Sequence, residues 1–184
     1  MSRLPAPLSN WWSNARFYWQ TTEKTAWVVV ALVVALLAGF GWFLQSVFAE
    51  RSDRQNLQCL ALNIYYEARG EPRTGQYAVG EVTMNRVASE YFPDTVCGVV
   101  YQKRWDYLRK RYVAAFSWTE FDTQPAPEGR EWRRAQEVAQ VVYYGRHVPR
   151  LDGVLHYHSI YIKPSWARGR KPVARIGRHL FYRS

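Results

Sequence analysis

Glu67 is the side chain in this 184-residue sequence whose surroundings best suit acid–base chemistry. Leu57, Leu60, Ala61, Ile64, Tyr65 and Ala68 follow the i, i+3, i+4, i+7 spacing of a helix with one buried face. At about 100° per residue, Glu67 falls within roughly 20° of Leu60 and near 90° from the centre of that stripe, so it borders the core. A carboxyl group there loses hydration, which disfavours its charged form and raises its pKa. A general acid that must protonate a leaving oxygen at neutral pH needs that property. The same position also suits a rim carboxylate paired with Arg69 or Arg73, and spacing alone leaves both readings open.

Other groups offer narrower possibilities. His156 and His158 alternate along an expected strand and share a face, so with His179 they form a candidate zinc set, although sheet hydrogen bonding explains a His-x-His equally well. Cys59 and Cys97 are the two cysteines; they suit either a disulfide in an oxidising compartment or two buried thiols. Without a C-x-x-C pair, a structural zinc site of the usual kind is not expected, and neither a metal nor another cofactor is assigned. Trp118 and Tyr157 have flat faces suited to sugar rings, as well as to a core. Asn85 lies among core positions and must be hydrogen-bonded.

The elements that would carry these residues can be read in outline. Residues 26–44, AWVVVALVVALLAGFGWFL, hold no charged side chain, and about 19 helical residues at roughly 1.5 Å each nearly cross a hydrocarbon core. Trp27 and Trp42 sit near the ends of this expected transmembrane helix. An aromatic head, residues 1–25 with Trp11, Trp12, Phe17, Tyr18 and Trp19, precedes it, as at a headgroup boundary. Val47-Phe48-Ala49 also fits a signal-peptidase site, but the apolar run exceeds the usual length of about 7 to 15 residues. Arg3, Arg16 and Lys24 before the span nearly balance Arg51, Arg54 and Arg69 after it, so charge does not orient it.

A polar linker, 45–56, is expected to lead into one domain, 57–184. Its first helix should stop near Gly70, before Pro72. A second is expected from Thr74, as N-cap, to Ser89, and a third from Glu128 to Tyr144, between Pro127 and Gly145. Residues 92–127 read as short helical pieces and loops. Two antiparallel strands, Gly153 to Ser159 and Val173 to Tyr182, are expected around a basic loop, 160–172. The fold class is α+β, mostly helical with a small antiparallel sheet.

Net charge is +10, with 22 Lys and Arg against 13 Asp and Glu from residue 51 on. Such a field favours anionic partners: wall carboxylates, phosphate headgroups or nucleic acid.

A longer pattern narrows these readings. Tyr65-Tyr66-Glu67-Ala68-Arg69-Gly70-Glu71-Pro72, then Gly75-Gln76-x-Ala78-Val79 and Asn85-Arg86-Val87, resembles the signature of the SleB/CwlJ cell wall hydrolase family, named for spore cortex-lytic enzymes. Further blocks follow in order: Phe92 to Gln102, Phe116-Ser117-Trp118, His156-Tyr157-His158, Pro164-x-Trp166 and Ile176-Gly177-x-His179-x-Phe181-Tyr182. The resemblance covers roughly Leu57 to Tyr182. It implies a lysozyme-like fold related to lytic transglycosylases, acting on the bond between N-acetylmuramic acid and N-acetylglucosamine, with Glu67 as catalyst. Glu71, Asn85, Phe116, Ser117, Trp118, Tyr157, His158 and Trp166 are then expected to bind substrate or support the site.

A single acid suffices if the sugar's own C6 hydroxyl attacks and leaves a 1,6-anhydromuramic end. Hydrolysis would want a second carboxylate, about 5 to 5.5 Å away for retention or 6.5 to 9.5 Å for inversion. Glu71, Glu81, Glu120 and Asp122 are the candidates. Ala115 departs from the family, whose members commonly carry Gln before the Phe-Ser block. Spore-type enzymes often bring a separate wall-binding domain; here a membrane anchor is expected to take that part.

The expected partners are therefore peptidoglycan glycan strands and membrane lipids, with the domain on the periplasmic side of the inner membrane. Oligomeric state is unassigned. Three other readings stand beside this one. They are a zinc-dependent N-acetylmuramoyl-L-alanine amidase using His156, His158 and His179, a non-catalytic glycan-binding adaptor, and a nucleic-acid binder using residues 168–178. The last lacks any recognised motif and is not expected.

Overall fold

The computed structural model describes residues 16–18, 24–107, 109–121 and 123–183. Arg3, Trp11, Trp12 and Trp19 of the aromatic head, and Asp122 among the carboxylates, lie outside the described residues. The chain divides into two compact units, Met1–Glu50 and Arg51–Ser184.

Helix α1 is assigned continuously over Lys24–Ala68, so residues 45–56, expected as a polar linker, are helical. QSVFAERSDRQN holds no Gly or Pro, and its Gln, Ala, Glu and Arg favour a helix. In the first unit Val28, Leu32, Leu36, Phe40 and Phe43 are all exposed. An ordinary amphipathic helix buries its apolar stripe and leaves polar residues to solvent.

In the second unit the same helix behaves conventionally. Cys59, Leu60, Ala61, Ile64, Tyr65 and Ala68 are buried, as their spacing predicts. The chain turns at Gly70 and enters α2, Arg73–Val87. The N-cap position belongs to Pro72, not Thr74, and no side chain caps the helix. The Pro72 carbonyl instead accepts from the Gly75 and Gln76 amides at 2.8 and 3.2 Å. Pro suits this entry because its fixed φ is already helical and it has no N–H to leave unpaired. Helix α3 is the short Val96–Val100, capped by Thr95, whose hydroxyl accepts from the Gly98 amide. Helix α4, Gly129–Tyr143, buries Ala135, Val138, Ala139 and Val142.

The main core joins Leu60 and Ile64 of α1, Val96, Val99 and Val100 of α3, Phe116, and the buried face of α4. Gly80 lets α2 pass close to its neighbours: a Cβ there would lie 3.2 Å from both Ile64 Cδ1 and Val142 Cγ2. A second core gathers Ala78 and Val82 of α2 with Leu151, Val154 and Phe181.

Two small antiparallel sheets complete this unit. Strands β1, Lys103–Asp106, and β2, Arg111–Ala114, form a hairpin within a stretch expected to be helical pieces and loops. Trp105 faces Tyr112 across it, with ring centres 5.3 Å apart. The other sheet has three strands, in the order β3 (Val154–Ser159), β5 (His179–Arg183), β4 (Ala174–Ile176). The single strand expected over 173–182 is thus two, divided at Gly177, where φ is +58°. Gly at the first central position of a two-residue turn is the ordinary way to fold such a tight hairpin.

Candidate active site

Glu67 lies one residue before the C-terminal end of α1. Its side chain is partly buried, and the Tyr157 hydroxyl donates to its Oε2 at 3.1 Å. Burial raises the pKa of Glu67, and outweighs the Tyr157 hydrogen bond and the Arg86 charge, which both pull it down. Tyr157 itself is held well above the usual phenol range, first by burial and then by the neighbouring carboxylate, so it stays a neutral donor.

Arg86, which the sequence reading did not single out, supplies the positive charge. It is buried on α2, its Nε donates to the Leu155 carbonyl at 2.9 Å, and its guanidinium lies over the rings of Phe92 and Phe116, 5.3 and 5.2 Å from their centres. Phe116 therefore holds the arginine. Ser117, next in the chain, is exposed at the start of the 3-10 turn Ser117–Glu120.

Asn63 was also missed. It is fully buried one turn before Glu67; its Nδ2 donates to Thr83 Oγ1 at 3.1 Å, and its Oδ1 accepts from the Trp118 indole at 3.1 Å. Trp118 stacks on Tyr66, ring centres 4.7 Å apart at 26°, and the Tyr66 hydroxyl donates to the Pro125 carbonyl. Tyr66 and Trp118 line a groove with Tyr101, Phe121 and Lys103. The sequence signal was a small amide inside an apolar helical run, where it must find partners.

Other expected residues are spent on the scaffold. Both Asn85 Nδ2 hydrogens go to backbone, to Leu151 O at 2.6 Å and Val154 O at 3.1 Å. Glu71 is buried against the β4–β5 turn: Oε2 accepts from the Arg178 amide at 3.0 Å and Oε1 from its guanidinium. Burial pushes the Glu71 pKa up, but these two bonds and the charges of Arg178 and His179 outweigh it and hold the carboxyl below its usual value. Glu81 accepts from the amides of Arg150 and Leu151. Glu120 accepts from the Ala114 amide, which with Arg111 lowers its pKa. Each of these three carboxylates is engaged by at least one backbone amide.

The β3–β5 register separates the histidines. Ser159 pairs with His179 and Tyr157 with Phe181, so His179 shares the Tyr157 face. His156 and His158 face the other way, where Trp166 packs against both rings and Tyr182 hydrogen-bonds His158 at 3.0 Å. His158 and Trp166 thus form an aromatic cluster apart from Tyr157, and the three histidines do not converge. Among the described residues no group of three His, Cys, Asp or Glu side chains could hold a metal ion. Cys59 and Cys97 are joined as a disulfide.

The cell wall hydrolase family model matches residues 70–182, more than half the chain. This chain belongs to the cell wall hydrolase family. Similar family members include the spore cortex-lytic enzyme of Oceanobacillus iheyensis, 30% identical over 133 residues, covering 70% of this chain and 42% of that protein. The enzyme of the same description from Bacillus subtilis is 29% identical over 129 residues, covering 70% and 38%. The chain therefore matches about two fifths of the length of these relatives. Among solved structures, the catalytic domain of the Bacillus cereus SleB protein superposes with a TM-score of 0.50 at 27% identity, over 70% of this chain and 89% of that one. The catalytic domain of a germination-specific lytic transglycosylase, SleB from Bacillus anthracis, gives 0.50 at 28%, over 68% and 92%. The fold is that of the SleB catalytic domain, mostly helical with small antiparallel sheets.

Proposed function

We propose that this protein cleaves peptidoglycan glycan strands between N-acetylmuramic acid and N-acetylglucosamine as a lytic transglycosylase, with Glu67 as its acid and base. The carrying observation is a half-buried carboxyl with a raised pKa and one neutral hydrogen-bond donor, while Glu71, Glu81 and Glu120 are each engaged by backbone amides. Glu67 enters the reaction protonated and gives its proton to the leaving glycosidic oxygen. Positive charge then develops at the sugar's anomeric carbon while Glu67 becomes a carboxylate, supported by the Tyr157 hydroxyl and the Arg86 charge. That carboxylate takes the proton of the attacking C6 hydroxyl and restores the starting state, leaving a 1,6-anhydro end. An internal nucleophile needs no second carboxylate to activate water, which suits the engagement of Glu71, Glu81 and Glu120.

The domains follow the same reading: an aromatic head at 1–25, a membrane-crossing helix at 26–44, a connecting segment at 45–56 and a catalytic domain at 57–184. The all-round apolar surface of α1 in the first unit supports the crossing, since lipid replaces the core that such a helix otherwise needs. The catalytic domain then faces the periplasm, where its glycan lies.

The test uses the full chain in detergent with purified sacculi and mass spectrometry of the released muropeptides. Anhydro ends that vanish with Glu67→Gln, while sacculus binding persists, are expected. Reducing ends would replace the transglycosylase with a hydrolase. Undiminished release by Glu67→Gln would remove Glu67 from the mechanism. Protease digestion of the catalytic domain in spheroplasts, with the protein retained in membranes, checks the tether; an N-terminus beginning after Ala49 would show cleavage instead.

A further inference from the structure

A cavity of about 340 Å³ opens on the face of α2 turned away from Glu67. Val79, Thr83 and Arg86 mark the face toward the candidate active site. Tyr77 and Glu81 lie about 200° around the helix from Val79 and Thr83, and both line the cavity. Ala78, Val141 and Ile176 give it apolar walls, while Arg146 and Arg150 stand at its exposed side. Among the described residues neither arginine has a carboxylate partner, although Arg146 lies over the Tyr144 ring.

The one acid here is already committed. Glu81 Oε2 accepts from the amides of Arg150 and Leu151 at 3.0 and 2.9 Å, and Oε1 lies 3.2 Å from His147 Nε2. The His147 ring stacks on Tyr77, and both of its ring nitrogens are buried without a hydrogen-bond partner among the described residues. The cavity therefore presents two cations and apolar walls, within the size range of small-ligand sites.

We propose that this cavity binds the free C-terminal carboxylate of a short peptide bearing a small apolar side chain. Arg146 and Arg150 take the carboxylate, as guanidinium groups do. Ala78, Val141 and Ile176 hold the apolar side chain. Because such peptides hang from the glycan that the proposed activity would cleave, the inference rests on that reading for its biological source. The cavity would hold a wall strand by its peptide on the far side of α2 from the cleavage site.

The probe is diacetyl-L-lysyl-D-alanyl-D-alanine, titrated by calorimetry into the full chain carrying Glu67→Gln, with its C-terminal amide and inorganic phosphate as controls. Saturable binding of the acid is expected, with about tenfold weaker binding of the amide and about five- to tenfold weakening by Arg146→Gln or Arg150→Gln. No binding of the acid, equal binding of acid and amide, indifference to both substitutions, or phosphate binding as tightly as the peptide would each overturn the proposal. The probe has no glycan and the protein lacks its acid, so failure here leaves the cleavage reading intact. Loss of anhydro ends as the mark of activity would likewise leave this binding site untouched.

Discussion

The Tyr157 hydroxyl and Glu67 Oε2, 90 residues apart in sequence, are 3.1 Å apart in the fold. That bond opposes burial, which remains the larger influence on the carboxyl. It stabilises the charged form, so it limits the rise in pKa that burial imposes. Tyr157→Phe keeps the ring and removes the donor, and Glu67 should then hold its proton to higher pH. The alkaline limb of the pH–rate profile should move upward, and kcat should fall about tenfold as the conjugate base loses its support. A lowered kcat with an unmoved limb would mean that Tyr157 acts on substrate and not on Glu67.

Glu67 should also cost stability at neutral pH. Its pKa is higher folded than unfolded, so the folded state binds its proton more tightly. The resulting contribution is fully present below the unfolded value, about 4.3, and is lost as pH rises through the folded one. Glu67→Gln should therefore raise the thermal midpoint at pH 7 to 8 and leave it nearly unchanged near pH 4. A variant less stable than the parent at both pH values would show that the carboxylate is needed for folding.

Legibility in the sequence followed the range of the interactions. The apolar stripe from Leu57 to Ala68 is local, so the buried face of α1 and the border position of Glu67 could be read directly. Strand β3 was visible because its residues alternate in type and are rich in aromatics, although burial along the strand does not alternate. The β1–β2 hairpin was not, since Lys103, Arg104 and Trp105 are all exposed and no alternation marks them. Glu71 and Asn85 were recognised as members of motifs, but their partners lie 107 and 66 residues away. Only the fold shows that one grips a turn and the other braces backbone. Arg86 stood inside a quoted block, yet a buried guanidinium between two rings has no sequence period.

Gly177 should tolerate no side chain. Its φ of +58° already disfavours L residues, and an added Cβ would collide with Glu71 Oε2. Gly177→Ala must displace the carboxylate that holds the Arg178 amide. A loss of about 2–4 kcal/mol is expected, combining backbone strain with a broken charged hydrogen bond. Urea unfolding would measure it. Glu71→Gln should cost less, about 1–3 kcal/mol, because it leaves the turn's backbone in place. Near-neutral behaviour of Gly177→Ala would mean that the turn refolds without the glycine and that Glu71 is not its anchor.

The Cys59–Cys97 bond ties α1, eight residues before Glu67, to α3 across a sequence separation of 38. It restricts the unfolded chain, and loops of this length are stabilised by about 2–4 kcal/mol. Replacing both cysteines by serine should lower the thermal midpoint by on the order of 10 °C. Activity per folded molecule should change little, since neither sulfur reaches the Glu67–Tyr157 pair. Because disulfides persist in oxidising compartments, the bond also bears on where the domain resides. Thiol titration of the denatured full chain, taken from membranes under alkylating conditions, should find no free cysteine. Two free thiols would place the domain on the reducing side and contradict both the bond and the periplasmic assignment.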